Sequence, residues 1–385
     1  MKNRTKRILS ILLAMILIVS TLAACNTAQE TKEETKVETE TKTETETTEK
    51  ETEAKEEVKE EEEAEEQSEE PEESSSETAT DMMGREVIIP KEVNKIVNIG
   101  SVGVLNGFVQ LMGYGDKIAH QMPANFTKTD QWKYQPVFSP QITDLPVLEV
   151  AREINMEKVL EVDPDIIFTM SKDSVKTLES KGLNVVFLAW TKPEDAKECI
   201  NLLGTLLKEE DVAKRYSEYF DEMVEKAHEK TKDIEEKKTV IYGNLVEFTQ
   251  PHIIAEWWIK EAGGISVTDN GREEEQFKYQ MEDLLNWDPD IIIASNDGTK
   301  KEILEDDKYS SLKAISEDKV YVTPTVAHVW ANRTIEQPLM IMWTMHKLYP
   351  DIMTREELSE DIHSFYSEFF KYDMTQDEIN AIMDQ

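Results

Sequence analysis

The chain reads as an α/β protein of two lobes joined by one long helix. Three observations predict this. Strand-like apolar runs alternate with helical patterns over about 300 residues. One stretch midway is helix-periodic and nearly free of breakers, and a fourteen-residue segment occurs twice.

In the first half, Lys95–Ile99 reads as a strand and Gly103–Met112 as the helix behind it. Lys117–His120 is a short second strand, and Ile166–Phe168 and Val185–Leu188 are buried strands that end in polar loops. Thr239–Tyr242, Ile291–Ile293 and Val320–Val322 repeat that style in the second half. Between the halves, Ala213, Tyr216, Phe220, Met223, Val224 and Ala227 fall at three- and four-residue spacing, one apolar helix face. Glycine and proline are absent from Thr205 to Lys238, so a helix of about 30 residues, roughly 45 Å long, is expected to cross from lobe to lobe. The expected division is an amino-terminal lobe at 81–204, the inter-lobe helix at 205–236 and a carboxy-terminal lobe at 237–385. The repeat supports paired lobes: Asn155–Phe168 aligns with Gln280–Ile293, each a short helix, an Asp-Pro-Asp and a buried strand. Proline ends the helix and keeps the preceding residue out of helical geometry.

The amino terminus sets the compartment. Lys2, Arg4, Lys6 and Arg7 precede an apolar run from Ile8 to Val19, and Leu22-Ala23-Ala24-Cys25 follows. This is a secretory signal over residues 1–24, too short in its apolar part for a permanent span. Its ending resembles the lipobox of bacterial lipoproteins, which implies acylation of Cys25 and anchoring at the outer face of the cytoplasmic membrane. The other cysteine, Cys199, lies in a helical pattern and reads as a small buried hydrophobe, so no internal disulfide is expected.

Residues 25–80 read as an acidic, disordered tether. Positions 26–80 hold 23 Glu and 6 Lys with no aromatic residue, too little apolar surface to offset chain entropy. The rest of the chain, residues 81–385, keeps a net charge of −24, which excludes nucleic-acid binding through a basic face.

Beyond the tether the chain resembles the helical-backbone substrate-binding proteins of ABC importers for iron-siderophores, cobalamin and related metal chelates. The resemblance rests on Asp81–Pro90 before the Lys-Ile-Val strand, Leu111–Ile118, both Asp-Pro-Asp-Ile-Ile segments, Ala262-Gly263-Gly264, and Tyr349-Pro350 followed by Phe365-Tyr366. It implies two Rossmann-like lobes joined by one backbone helix with the ligand cleft between them, limited hinge motion, and a monomer that hands cargo to an importer permease. The cargo implied is an iron-siderophore or related metal chelate, any iron or other transition metal arriving inside the cargo rather than as a cofactor of the chain. Cobalamin, haem or a nickel chelate is the alternative cargo, and a ligand-sensing surface lipoprotein without an importer is the alternative role. The family docks one glutamate of each lobe on the permease, and the match puts these at Glu157 and Glu282, equivalent positions of the repeat.

Ligands of open α/β lobes sit beyond the carboxyl ends of the strands. The loops there supply Ser101, His120, Trp190, His252, His328, Trp330 and Arg333 as candidate ligand-binding residues. Imidazole suits a metal, tryptophan a flat chelate wall, and guanidinium an anionic group, though Arg333 also stands three residues before Glu336 as an ion-pair partner. Besides Arg333 only Arg152 and Arg272 are available, few for a highly charged ferric catecholate and more in keeping with a less charged chelate or a metal with small ligands. No catalytic residues are expected: GxSxG, Walker A, GxGxxG and HExxH motifs are all missing.

Overall fold

The computed structural model describes residues 77–124, 126–127 and 130–385. The signal segment, Cys25 and nearly all of the expected tether lie outside the described residues. Among those described, no helix is long and apolar enough to cross a membrane.

Two parallel sheets organise the chain. In the first lobe β1 (Ile96–Ile99), β2 (Ile166–Thr169) and β3 (Val185–Phe187) pair in the order β1-β2-β3. In the second, β4 (Thr239–Gly243), β5 (Ile265–Ser266), β6 (Ile291–Ala294) and β7 (Val320–Val322) pair in the order β5-β4-β6-β7. The expected strand at Lys117–His120 shrinks to a single parallel bridge, Ile118 to Ile96, because Gly115–Lys117 is a 3₁₀ turn that reaches the sheet edge too late to run along it.

Alternation along each strand sorts side chains between two faces. Ile96, Ile166, Phe168, Val186, Val240, Tyr242, Ile291 and Ile293 all point into one large core that serves both lobes. Their neighbours Val97, Ile99, Ile167, Val185 and Phe187 face a separate cluster in the first lobe. Ile241 and Ile292 face the corresponding private cluster in the second. The shared core is filled by helices: α1 (Val102–Leu111), α2 (Asp195–Leu207), α3 (Glu210–Thr231), α4 (Gln337–Leu348) and α5 (Arg355–Phe370).

The inter-lobe helix departs from its expected course. It does not start at Thr205 and run unbroken; α2 ends at Leu207, Lys208 takes the left-handed conformation at φ 60°, and α3 begins at Glu210. The reason is a close helix crossing. A methyl group at Gly204 would stand 2.7 Å from Ala213 Cβ, so the glycine lets the chain fold back on itself. The 22 residues of α3 span roughly 33 Å, and the helix stops at Thr231 instead of Glu236. Its buried face is the expected one, with Ala213, Tyr216, Phe220 and Ala227 inside and Met223 and Val224 half-buried. Three ion pairs fasten it to α5: Arg215–Glu368 at 2.7 Å, Lys226–Asp361 at 2.7 Å and Lys230–Glu357 at 2.7 Å.

The first lobe also begins earlier than residue 81. Thr78–Thr80 is a strand paired antiparallel with Glu86–Ile88, so the last residues expected in the tether belong to the fold.

The repeat is structural. Met156–Val162 and Met281–Trp287 are both seven-residue helices ended by an aspartate at positive φ, Asp163 at 53° and Asp288 at 37°. The next aspartate then ties down the start of the neighbouring strand. Asp165 accepts the Asn94 and Lys95 N–H groups at 2.7 and 2.8 Å, and Asp290 accepts the Thr239 N–H at 2.9 Å.

Two imidazoles are sealed inside. His120 is 1% exposed and His328 8% exposed, and burial pulls each down to about 4 from 6.5. A folded pKa below the unfolded one means fewer protons bound in the folded state between those values. The stability each contributes is therefore complete above pH 6.5 and lost as pH falls toward 4. Glu336 acts in the opposite sense, since burial pushes its carboxyl up to about 7 against hydrogen bonds from Tyr366, Ala327 and His328. His120→Gln is expected to reduce the stability lost between pH 7 and pH 5 by on the order of 2 kcal/mol. Urea midpoints of the parent and the variant at both pH values check this, and equal losses would contradict it.

Candidate functional site

Gly100 ends β1 with φ 89°, and its N–H donates to Glu149 Oε2 at 2.8 Å. Glu149 starts a small hairpin in which Glu149–Val150 pairs with Glu153–Ile154. The two residues at its tip, Ala151 at φ 52° and Arg152 at φ 69°, both sit in the left-handed region that two-residue hairpins require and that Asn-Gly fills without strain. Non-glycine residues held there carry local strain that the surrounding fold offsets. The hairpin, Gly100, Pro123, Ala124 and Phe126 enclose a cavity of about 580 Å³, within the range of small-molecule sites.

Arg152 lines this cavity and is exposed, and among the described residues no carboxylate lies within ion-pair distance of it. Burial raises the Glu149 carboxyl above its ordinary range despite the Gly100 N–H. Ser101 is exposed beside Gly100; it caps α1 by position, yet its hydroxyl makes no cap hydrogen bond.

Loops of the two lobes meet next to the cavity. Gln135 Nε2 donates to Ala327 O at 2.5 Å and to Gly103 O at 3.3 Å, stitching the first lobe to the second. Trp132 lies 5.0 Å from the His328 ring and 4.8 Å from Phe126. A methyl group at Gly103 would stand 3.1 Å from His328 Cδ2 and 3.3 Å from Phe126, so any larger residue would push these rings by a few tenths of an ångström. The loop carrying His328 is itself pinned. Glu336, fully buried, accepts the Ala327 and His328 N–H groups at 2.8 Å each, with Tyr366 and Thr334 hydroxyls completing its shell.

Further out in the second lobe, Arg333 forms a two-pronged pair with Glu275, Nη1 to Oε1 at 2.6 Å. His252 Nδ1 lies 2.9 Å from the same Oε1. Burial alone would raise the Glu275 carboxyl, but the hydrogen bonds from Arg333 and His252 prevail and hold it below its ordinary value. Arg272, nearly buried, is engaged by Glu256 and lies over the Phe277 ring at 4.9 Å. Arg333 thus pairs with a residue 58 positions away in sequence, not with Glu336 three positions on.

The candidate residues therefore divide. Ser101, His252 and Arg333 offer polar atoms at the surface of the strand-end loops, and Arg152, weighed second to Arg333 in sequence, lines the main cavity. His328 stands behind Phe126, facing the inter-lobe contact. Trp190 is 7% exposed and stacks on Phe108 at 5.6 Å, while Trp330 is fully buried; both plug the shared core rather than wall an open cleft. His120 is buried likewise, its Nδ1 directed at Gln121 O. Bulky residues just after strands satisfy core packing as readily as ligand contact, and the sequence pattern is the same for both. Glu149 was missed: Val150-Ala151-Arg152-Glu153 holds none of the Asn, Asp or Gly residues that mark a two-residue hairpin. Among the described residues no group of three His, Cys, Asp or Glu side chains is arranged to hold a bare metal ion.

The comparisons with known proteins agree with this architecture. Molybdate-binding protein MolA of Haemophilus influenzae is 20% identical over 329 residues, spanning 76% of this chain and 90% of that protein. A periplasmic solute binding protein from Veillonella parvula superposes with a TM-score of 0.69 at 25% identity, covering 80% of this chain and 96% of that one. Helicobacter pylori CeuE, solved with Ni-His, gives 0.63 at 15% identity over 80% and 98%. The family model described as periplasmic binding protein matches residues 116–327. That match covers more than half of the chain, which belongs to the periplasmic binding protein family.

Proposed function

We propose that this chain is the extracytoplasmic capture component of an ABC importer, and that it takes a compact anionic metal complex or oxyanion between its lobes. Anchoring through an acylated Cys25, with the acidic segment as tether, belongs to the same reading. The carrying observation is the 580 Å³ cavity of the first lobe beyond the end of β1, beside the loops that meet the second lobe, with Arg152, unpaired among the described residues, at its wall. The state of the other arginines narrows the charge of the cargo. Arg333 and Arg272 already carry bidentate or buried carboxylate partners, so one free guanidinium suits a cargo of one or two negative charges better than a ferric tris-catecholate. The likeness to proteins named for molybdate and for Ni-His supports small cargo of this kind. Delivery rests on Glu157 and Glu282, both exposed, both on the first turn of the repeated helices.

Arg152→Ala is expected to weaken binding of molybdate at least tenfold, about 1.4 kcal/mol, with no change in melting temperature. Isothermal titration measures the first and calorimetric scanning the second; unchanged affinity for every probe that binds the parent would remove the cavity from the account. Glu275→Gln removes the carboxylate charge that faces Arg333, and anionic probes that reach this pair are expected to bind several-fold tighter. Charge reversal of Glu157 and Glu282 together is expected to abolish uptake in cells while leaving probe affinity of the purified chain intact. Uptake that survives the double reversal would end the importer reading.

A further inference from the structure

Two opposite charges line the first-lobe cavity without meeting. Glu149 and Arg152 stand three residues apart on one hairpin, and both line the cavity wall. No ion pair joins them, nor does any other described arginine pair with Glu149. The cavity thus offers a ligand one guanidinium and one carboxyl, neither neutralised by the other.

The carboxyl is the unusual member. Glu149 is 8% exposed, and acids so far inside a protein are rare unless paired. Its Oε2 accepts the Gly100 N–H at 2.8 Å, the one hydrogen bond its side chain makes among the described residues. A single N–H does not replace the water that a carboxylate gives up, and burial accordingly raises this group above its ordinary range. A carboxylate accepts about four hydrogen bonds when fully satisfied. The fold therefore leaves Oε1 short of a donor, on a cavity large enough for a small ligand to bring one.

We infer that the cargo is an anion carrying its own O–H or N–H donor, and that Glu149 selects it by accepting that hydrogen while Arg152 meets the negative edge. The inference rests on the capture reading above and narrows the class of cargo for the same cavity. Two kinds of ligand have this chemistry: an oxyanion that retains a proton, and an anionic metal complex with a protonated ligand atom. A fully ionised oxyanion such as molybdate brings no hydrogen. It leaves Oε1 unpaired and sets like charges side by side, so it binds less tightly than a donor-bearing anion of equal charge and similar size.

The test is isothermal titration of the full chain at pH 8 with two matched pairs of probes. Arsenate is there a dianion with one O–H, and molybdate is a dianion with none. Nickel with excess glycine forms a complex that carries N–H, and nickel with excess N,N-dimethylglycine forms one that does not. In at least one pair the parent is expected to bind the donor-bearing probe about tenfold tighter, and the pair that shows it names the donor as O–H or N–H. Glu149→Gln keeps an acceptor for the Gly100 N–H and adds a donor of its own. It is expected to erase the preference, tightening the donor-free probe about tenfold at an unchanged melting temperature. If glutamine lowers the melting temperature, the parent's own preference within each pair decides. Equal affinities within both pairs, or a preference that survives Glu149→Gln, overturns the inference, while the capture reading stands so long as Arg152→Ala weakens the probes. If Arg152→Ala also changes nothing, or no probe binds the parent, the reading of the cavity fails and the inference falls with it.

Discussion

The structure depends on one shared apolar core. Alternate residues of both sheets point into it, and α1, α2, α3, α4 and α5 fill it, so neither sheet can rotate away without exposing side chains of the other. Dense packing of this kind has few alternative arrangements. The ion pairs along α3 and the bond from Gln135 to Ala327 add orientation to a geometry that apolar burial already holds.

From that constraint the site follows. With the lobes fixed, the strand-end loops meet in a defined place, and the left-handed tip at Ala151-Arg152 stands exposed at the cavity wall. The buried Glu336 keeps the His328 loop in one shape through four donors.

Much of the fold was legible in the sequence because burial writes a clear pattern. Val320–Val322 and the face of α3 appear as read, and the repeated Asp-Pro-Asp stands out as a shared helix stop whose second aspartate ties the next strand. The break at Lys208 was not legible, since lysine carries no turn signal and the cause is a contact between Gly204 and Ala213. The site was harder for the same reason. Trp190, Trp330 and His120 look like ligand residues by their place after strands, yet whether a side chain turns to the cleft or the core depends on what packs opposite. The Arg333–Glu275 pair joins residues 58 apart, beyond the reach of local pattern.

The central claim is that one core fixes both lobes while cargo comes and goes. Spin labels at Lys176→Cys on the first lobe and Lys301→Cys on the second report it directly by pulsed dipolar spectroscopy, Cys199 being buried and unreactive. The account predicts a single narrow distance distribution that shifts by no more than about 2 Å when a binding probe saturates the chain. A broad distribution without cargo, or a shift several times larger on binding, would contradict it.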